Sequence, residues 1–398
     1  MDANRRLHAL DNLRAHMMLL GVVFHVAINY STGEPNVHWP FRDHATDPLI
    51  AGLADFIHLF RMPVFFIVAG FFSALLIHRR SIKGLLQNRA ARIGLPFMLF
   101  LLPVIWLCGN GLYAAMNAMN GTDFSWHSLA TVPEWNLHHL WFLYFLMIFY
   151  VAFCVLFFLL QAVTRLRQGL QQINQALWHR HAPVLMGAVS GLCLFASGSA
   201  VVPAPLSFIP DPILLGYYFV FFLGGASLYA AGSPLKHLTG RGRYWSVLML
   251  CALIGFVAAE MVVLNPETTR NPELSLAGGL ALGIFVWSLA LIIMGFYIKR
   301  MNHESATGRY FTDASYWIYL AHLPMAICFP LITADLPLGA WTKFSLNIGL
   351  ITLICVASYH LLVRSTWLGA LLNGKRYPFR WHPWPDKSLH PGVSSAKQ

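Results

Sequence analysis

Charged residues are scarce in this sequence. Asp, Glu, Lys and Arg make up only 11% of its 398 residues, whereas hydrophobic residues make up 57%. Soluble domains usually contain about 25% charged residues, so the composition argues against a water-soluble protein. It indicates instead a chain that lies in a lipid bilayer, which is therefore its first expected partner.

Cysteine is also infrequent, and its positions argue against two kinds of site. The six cysteines all lie in apolar runs, without the spacing of metal ligands or of a small disulfide-bonded domain. We therefore predict no metal site. The formal net charge of +11 does not indicate nucleic-acid binding, because the basic residues form short clusters between apolar runs, as membrane insertion requires.

Long apolar segments are what the sequence has in abundance. A helix of about 20 apolar residues spans the roughly 30 Å hydrocarbon layer. Ten segments reach this length, at roughly 12–31, 50–78, 91–115, 137–162, 183–202, 212–231, 243–264, 275–298, 311–333 and 341–364. We predict an all-α, polytopic integral membrane protein with about ten transmembrane helices and a kink or break at Pro63. Residues 1–370 would form the transmembrane domain and residues 371–398 a cytoplasmic tail.

Basic residues alternate between successive loops. If the N-terminus is cytoplasmic, the loops on that side carry nearly all Lys and Arg, and the other loops carry only Arg42 and Arg270. This pattern matches the positive-inside rule, and one missed helix would invert every later loop. We therefore predict that both termini are cytoplasmic. The apolar run after Arg5 and Arg6 has no small-residue cleavage site, so we also predict that the first helix is retained rather than cleaved as a signal peptide.

The first predicted helix carries two basic side chains on one face. Arg14 and His25 are eleven residues apart, which is three turns plus about 20°, so they lie about 16 Å apart along the axis. Ionisable groups within a membrane are costly and are candidate functional groups. Arg14 would lie near the cytoplasmic surface and His25 in the outer half of the membrane. The structural alternatives are an Arg14 that snorkels to the interface and a His25 that bonds a neighbouring helix.

Further ionisable residues lie in the second and seventh predicted helices. Asp55, His58 and Arg61 are spaced by three residues, so they occupy one broad helical face. Arg61 lies well inside the span and needs a carboxylate or carbonyl partner, for which Asp55 and Glu260 are the candidates. A structural ion pair and a substrate-binding role explain Arg61 equally well.

Two arginines follow the second predicted helix. Arg89 and Arg92 are three residues apart, so on a helix they share a face at the cytoplasmic surface. Two guanidinium groups in this arrangement suit a phosphate-bearing ligand. The structural alternative is strong, because cytoplasmic loops are commonly basic.

Polar residues also mark the fourth and ninth predicted helices. His139 and Trp141 begin the fourth helix at the outer interface, where aromatic belts are common. Ser315, Tyr319 and His322 lie at positions i, i+4 and i+7 of the ninth helix, so they form one polar stripe that ends near mid-membrane.

Five motifs together resemble a known family. The stretches LDNLRAHMMLLGVVFH, RMPVFFIVAGFF, RAAR, HLWFLYFL and SYWIYLAHLP occur in this order over nearly the whole chain. They are similar to blocks of the acyltransferase-3 family of membrane acyltransferases. The first two look most like the branch that is associated with succinylation of osmoregulated periplasmic glucans. Ala69 stands where the family commonly has the serine of a Ser-Gly-Phe motif, so no hydroxyl function is expected there.

The resemblance implies an enzyme of the bacterial inner membrane. Its donor would be cytoplasmic acyl-CoA, such as succinyl-CoA, its acceptor a glycan hydroxyl on the outer side, and other glycan-synthesis membrane proteins its partners. No tightly bound cofactor is expected. The catalytic residues would be His25, Arg14, Glu260 and His322, with His25 as general base or acyl carrier. The substrate-binding residues would be Arg89, Arg92, Asp55, His58, Arg61, His139, Trp141, Ser315 and Tyr319.

Two other classes of protein use similar building blocks. A glycan or lipid transporter, such as a flippase, also needs about ten helices and buried polar groups. The sequence shows no inverted repeat, which counts against a transporter. A scaffold without chemistry would not need His25, Arg61 and His322 at membrane depth. Consumption of acyl-CoA distinguishes an enzyme from a flippase.

Overall fold

The computed structural model describes residues 8–36, 38–132, 135–162, 164–198, 202–232, 238–263 and 272–381. Within these residues the regular secondary structure is helical, and there is no β-strand. The α-helices are α1 (His8–Ile28), α2 (Pro48–Arg79), α3 (Ile82–Arg89), α4 (Leu95–Asn120), α5 (Trp141–Ala162), α6 (Thr164–Arg180), α7 (Ala182–Ser197), α8 (Pro212–Ala230), α9 (Gly242–Val263), α10 (Pro272–Arg300), α11 (Ala306–Thr333), α12 (Ala340–Ser358) and α13 (Trp367–Asn373). The π-helical segments Ala90–Gly94 and Tyr359–Val363 join α3 to α4 and extend α12, and a 3-10 turn at His138–Leu140 precedes α5.

Helices occupy all ten segments that the sequence predicts as spans. Seven helical stretches of the described chain are long and apolar enough to cross a membrane; they correspond to α2, α3–α4, α5, α8, α10, α11 and α12. The other three segments are α1, which contains Asp11 and Arg14, the 16-residue α7, and α9, whose apolar part is short. An all-helical, multi-pass membrane protein is therefore confirmed, while the count of ten spans and their orientation stay predictions.

Local sequence explains where several long helices begin. Asp47 caps α2 and Asp211 caps α8, because each carboxylate accepts a hydrogen bond from a backbone N–H group of the first turn, at 2.8 Å in both cases. Pro48 and Pro212 follow these aspartates. Proline suits the first helical position, where its missing N–H group has no intrahelical partner to lose.

Helix α2 continues past Pro63 without interruption, so the chain does not break there, while the predicted kink stays a prediction. Proline removes one helical hydrogen bond, but packing against α8 supports this helix. A Cβ atom on Gly70 would collide with the carbonyl group of Phe222, and one on Gly225 with the carbonyl group of Ile67. Glycine at these two positions therefore allows the two backbones to touch, as small residues commonly do between membrane helices.

The two ends of the bundle are distinct. Helix α1 begins beside the connection between α10 and α11, where Asn12 Nδ2 donates to the carbonyl oxygen of Met301 at 2.9 Å. We call this the arginine-rich end, because it holds the arginine-lined cavity described below. At the opposite end, the loop of residues 31–47 packs against α12 through the ion pair of Asp43 with Lys343, whose nitrogen and oxygen are 3.0 Å apart.

Candidate active site

A cavity of about 310 Å³ lies at the arginine-rich end of the bundle. Arg14 of α1, Arg89 of α3 and Arg92 of the following π-helical segment all line it. The carboxylates of Asp11 and Asp313 line it too, so the guanidinium groups outnumber the carboxylates. The structure thus brings together the three arginines that the sequence predicts as catalytic or donor-binding residues.

Irregular backbone and side-chain packing hold two of these arginines. Residues Ala90–Gly94 form a π-helical segment, a feature that is frequent at functional sites. The Cζ atom of Arg89 lies 5.1 Å from the centre of the Tyr150 ring, in a cation–π contact. Nη1 of Arg92 donates to the carbonyl oxygen of Leu372 at 3.5 Å. In the described chain neither arginine makes an ion pair with a carboxylate, so both charges are available to an anionic ligand.

The arginine-lined cavity adjoins a second layer of functional side chains. Met18, Phe65, Phe142 and Ser315 line the cavity, and Gly21, Arg61, His139 and Tyr319 lie three or four residues from them, away from the arginine-rich end. A spacing of three or four residues is one helical turn, or about 5 Å along the axis. The cavity and the second layer are therefore successive levels of the same four helical segments.

Three imidazole rings form the centre of the second layer. The ring centre of His322 lies 5.3 Å from that of His25 and 5.3 Å from that of His139. The ring centre of Tyr319 lies 5.0 Å from that of His139. We call these four residues the histidine cluster. His322 is 1% exposed and His139 is 6% exposed, so the cluster is largely removed from water.

The hydrogen bonds of His322 fix the roles of its two nitrogen atoms. Nδ1 lies 3.0 Å from the carbonyl oxygen of Ile318 and 2.8 Å from that of Tyr319. Carbonyl oxygens accept hydrogen bonds, so Nδ1 carries the hydrogen of the neutral ring. Nε2 is then a basic nitrogen, and it is buried without a hydrogen-bond partner among the described residues. The geometry therefore presents a proton acceptor to the interior of the cluster.

The predicted polar stripe on α11 is confirmed as a buried feature, but its hydroxyl groups are already engaged. Tyr319 donates its hydroxyl hydrogen to the carbonyl oxygen of His139 at 2.7 Å. Ser315 donates to the carbonyl oxygen of Thr312 at 2.8 Å. The bond from Tyr319 holds the backbone at His139, and the two imidazole nitrogens of His139 have no hydrogen-bond partner in the described chain.

Arg61 brings a guanidinium group to the same layer. Its Nη1 atom lies against Gly21, where a Cβ atom would collide with it, and the same position faces Nε2 of His322. Its Cζ atom lies 5.2 Å from the centre of the Phe24 ring. Nε of Arg61 is buried and, within the described residues, has no hydrogen-bond partner. Glycine at position 21 thus makes room for a cation beside the histidines.

Three sequence-predicted residues lie outside the histidine cluster, and the side chain of a fourth is not described. Asp55 is exposed and makes no ion pair with Arg61, so the structure does not support that predicted pairing. His58 Nε2 lies 2.6 Å from the carbonyl oxygen of Val202, and its ring stacks on Phe24, whose ring also contacts His25. Trp141 is only 5% exposed and packs within the aromatic core. The backbone of Glu260 belongs to α9, but its side chain lies outside the described part of the chain.

Sequence reasoning missed the residue that covers His25. The indole ring of Trp39 lies parallel to the imidazole ring of His25, with centres 5.8 Å apart and an angle of 14° between the planes. Trp39 Nε1 donates to Oδ1 of Asn29 at 2.9 Å. Asn29 lies four residues after His25 on the same face of α1, but this spacing does not indicate a contact with Trp39.

The cluster does not have the geometry of a metal centre. Among the described residues, no three His, Cys, Asp or Glu side chains are arranged to hold a metal ion. The arrangement combines a basic nitrogen, a cationic hydrogen-bond donor and a dry environment. These are the groups that general-base catalysis of group transfer to an alcohol requires.

Comparison with known proteins agrees with this chemistry. Residues 7–360 match the acyltransferase-3 family, whose description is an acyltransferase domain. Glucans biosynthesis protein C of Escherichia coli K12 is 26% identical over 388 residues, which cover 93% of this chain and 95% of the relative. Glucans biosynthesis protein C of Shigella dysenteriae serotype 1 is 26% identical over 390 residues, with the same coverage. No solved structure matches the chain.

Proposed function

Because the chain belongs to the acyltransferase-3 family and is a multi-pass membrane acyltransferase, we propose that it moves an acyl group from cytoplasmic acyl-CoA to a hydroxyl group of a glycan outside the bacterial inner membrane. A succinyl group is the proposed acyl group and a periplasmic glucan the proposed acceptor. The name of the relatives, glucans biosynthesis protein C, supports a glucan. The opening motifs of the sequence support succinylation.

One observation carries the proposal: the arginine-lined cavity and the histidine cluster are successive levels of the same helical segments. Arg14, Arg89 and Arg92 at the cavity match the anionic phosphates of coenzyme A. The thioester lies at the far end of the flexible pantetheine arm of the donor. An arm that enters between Met18 and Phe65 reaches the level of Arg61 after about one further turn and the level of His25 after about two.

The histidine cluster supports a direct transfer mechanism. A basic nitrogen of His25 removes the proton from the acceptor hydroxyl as its oxygen attacks the thioester carbonyl carbon. Arg61 stabilises the negative charge that develops on the carbonyl oxygen. Collapse of this intermediate breaks the carbon–sulfur bond, and the departing thiolate takes the proton from His25. His322, through Nε2, orients the acceptor or His25.

An acyl-histidine intermediate is the second route to the same products. In that route a nitrogen of His25 attacks the thioester carbonyl carbon, the carbon–sulfur bond breaks, and the thiolate of coenzyme A takes the proton that the ring loses. The glycan hydroxyl then attacks the acyl-imidazole, the carbon–nitrogen bond breaks, and the hydroxyl proton returns to the ring of His25. The two routes differ in what happens without acceptor. A carrier mechanism releases one coenzyme A per protein molecule and leaves the acyl group on His25, whereas a general-base mechanism releases none.

The test uses purified full-length protein in lipid nanodiscs with isotope-labelled succinyl-CoA and periplasmic glucan. We expect labelled ester on the glucan by mass spectrometry and one free coenzyme A for each ester formed. Omission of glucan should abolish ester formation and leave at most one equivalent of coenzyme A released. Transport of glucan without ester formation or thioester cleavage would contradict the proposal.

A further inference from the structure

A second cavity lies beside the arginine-lined one and has no part in the transfer steps above. Its volume is about 450 Å³, within the range of about 300–1,000 Å³ that is common for small-molecule sites. Its lining includes three arginines and three tyrosines, namely Arg309, Arg364, Arg380, Tyr310, Tyr359 and Tyr377. We call it the tyrosine–arginine pocket.

Cationic and aromatic surfaces alternate in this pocket. The Cζ atom of Arg364 lies 5.5 Å from the centre of the Tyr310 ring and 4.8 Å from that of Tyr377. Purine and pyrimidine bases stack well on both tyrosine rings and guanidinium planes. The pocket therefore suits a planar heteroaromatic base that carries negative charge nearby.

The acidic side chains of the pocket already have partners. Glu304 forms an ion pair with Arg309. Asp313 accepts a hydrogen bond from the hydroxyl group of Tyr377 at 2.6 Å. Burial and the neighbouring Asp313 carboxylate raise the pKa of Tyr377, so its hydroxyl stays protonated and keeps donating to Asp313. The pocket therefore has three arginines and two carboxylates that already have partners, so its net charge is positive.

The chain after the last long helix forms part of this wall and is anchored to it. Tyr377 binds Asp313 through its side chain, and its backbone N–H group donates to the carbonyl oxygen of Arg364 at 3.3 Å. Nε2 of His360 lies 2.9 Å from the carbonyl oxygen of Arg380. These contacts hold residues 377–380 in place, so Arg380 belongs to a built site.

The two cavities share a thin partition. Asp313 lines both of them. Asn373, which lines the arginine-lined cavity, donates through Nδ2 to the hydroxyl oxygen of Tyr359 in the tyrosine–arginine pocket at 3.0 Å. One ligand with two anionic parts can therefore lie across this partition and occupy both cavities.

We propose that the tyrosine–arginine pocket binds the 3′-phosphoadenosine part of the acyl-CoA donor. Adenine packs on the surface of Tyr310, Arg364 and Tyr377, and the 3′-phosphate meets Arg309 and Arg380. The diphosphate then lies at the partition, toward Arg14, Arg89 and Arg92, with the pantetheine arm beyond it. This assignment rests on the proposed function, because it names where one part of the proposed donor is held.

The test compares succinyl-CoA with succinyl-3′-dephospho-CoA, which lacks only the 3′-phosphate. A charge-assisted hydrogen bond lost from a phosphate corresponds to roughly 10- to 100-fold in affinity. The wild-type protein should therefore have a KM lower by about this factor for succinyl-CoA. In Arg309→Gln and Arg380→Gln this preference should fall by about tenfold, because each variant loses a contact to the 3′-phosphate. Arg243→Gln removes an exposed arginine that lines neither cavity and should keep the wild-type preference.

Each remaining outcome has a defined meaning. Equal KM values for both thioesters in the wild-type protein, or an unchanged preference in both pocket variants, would overturn the assignment while leaving the acyl transfer intact. If no variant and no wild-type sample cleaves or binds either thioester, the proposed function itself fails. If the pocket variants change only the response to phosphatidylglycerol in the nanodisc, the pocket binds a lipid phosphate and the assignment is wrong. Direct titration of the wild-type protein and of each variant with coenzyme A should rank their affinities in the same order without turnover.

Discussion

The two levels of the candidate site hold their polar groups in different ways. At the arginine-rich end, Arg14 is exposed and Arg89 and Arg92 are half-buried around a cavity. One level deeper, His322 and His139 are almost fully buried, and an indole ring covers His25. The first level presents permanent charge near water, whereas the second presents neutral rings and one cation in a dry interior.

The difference suits two different tasks. Permanent charges that stay near water can bind and release an anionic donor without a large desolvation cost. Proton transfer and charge stabilisation gain from a dry environment, because electrostatic interactions there are stronger than in water. We infer that the first level selects the donor and the second performs the chemistry, so changes at the two levels should affect different kinetic constants.

The largest effect is expected at the second level. His25→Ala removes the proposed base or acyl carrier, so glucan acylation should fall by about 10²–10⁴-fold. His25→Gln keeps hydrogen-bonding capacity but cannot take a proton, and it should be equally inactive. His16→Ala is the matched control on the same helix, because His16 Nδ1 lies 2.8 Å from the hydroxyl oxygen of Tyr297, away from the cluster. A well-expressed His25→Gln protein with substantial acylation would rule out the mechanism.

A large loss of stability is expected when the ion pair at the opposite end is broken. Lys343 Nζ lies 3.0 Å from Oδ1 of Asp43, and both side chains are almost fully buried. Lys343→Met leaves a buried carboxylate without its counter-charge, so we expect about 3–5 kcal/mol of destabilisation. Glu304→Gln breaks the exposed pair with Arg309 and should cost no more than about 1 kcal/mol. Thermal unfolding in nanodiscs measures both, and equal shifts in Tm would refute the contrast.

A smaller effect, on the KM for the donor, is expected when the arginines of the arginine-lined cavity are changed. Arg89→Ala and Arg92→Ala each remove a charge-assisted contact to phosphate, worth roughly 1.5–3 kcal/mol. The KM for succinyl-CoA should therefore rise about 10- to 100-fold with little change in kcat. Lysine at either site should restore only part of the affinity for succinyl-CoA, because its ammonium group lacks the guanidinium fork. Arg80→Ala removes an exposed arginine that does not line the cavity and serves as the control.

The smallest effect is expected where loop 31–47 covers His25. Trp39→Leu removes the ring stacked on His25 and the hydrogen bond to Asn29, contacts worth about 0.5–1.5 kcal/mol each. We expect kcat for glucan acylation to fall about 3- to 20-fold while the KM for succinyl-CoA stays constant. Trp39→Phe keeps a ring but not the N–H group, so its kcat should fall less than that of Trp39→Leu. If Trp39→Leu changed only the KM for succinyl-CoA, Trp39 would act in donor binding, and this prediction would be wrong.

The sequence predicted what depends on helical periodicity. The face shared by Arg14 and His25 follows from 3.6 residues per turn, and the stripe of Ser315, Tyr319 and His322 follows in the same way. The helices themselves were predictable, because apolar length alone indicates a membrane span. Each of the ten predicted segments coincides with a helix of the structure.

What the sequence could not supply is the arrangement between segments. Periodicity does not say which helices are neighbours, so the contact of His139 with His322 was not predictable. For the same reason the partner of Arg61 was left open between Asp55 on its own helix and Glu260. Trp39 lies in an irregular loop, whose path depends on the distant Asp43–Lys343 pair. The arginines of the tyrosine–arginine pocket had no spacing signal, because basic residues at that end are explained by the positive-inside rule.

The central claim is that the acyl group crosses from the arginine-rich end to the opposite end of the bundle, and a vesicle assay tests it most directly. Sealed proteoliposomes hold glucan inside, and labelled succinyl-CoA, which does not cross the bilayer, is added outside. The account predicts labelled glucan in the lumen, formed by molecules whose arginine-rich end faces outward, and no labelling when donor and glucan are both outside. Labelling only when donor and acceptor share a compartment would contradict it.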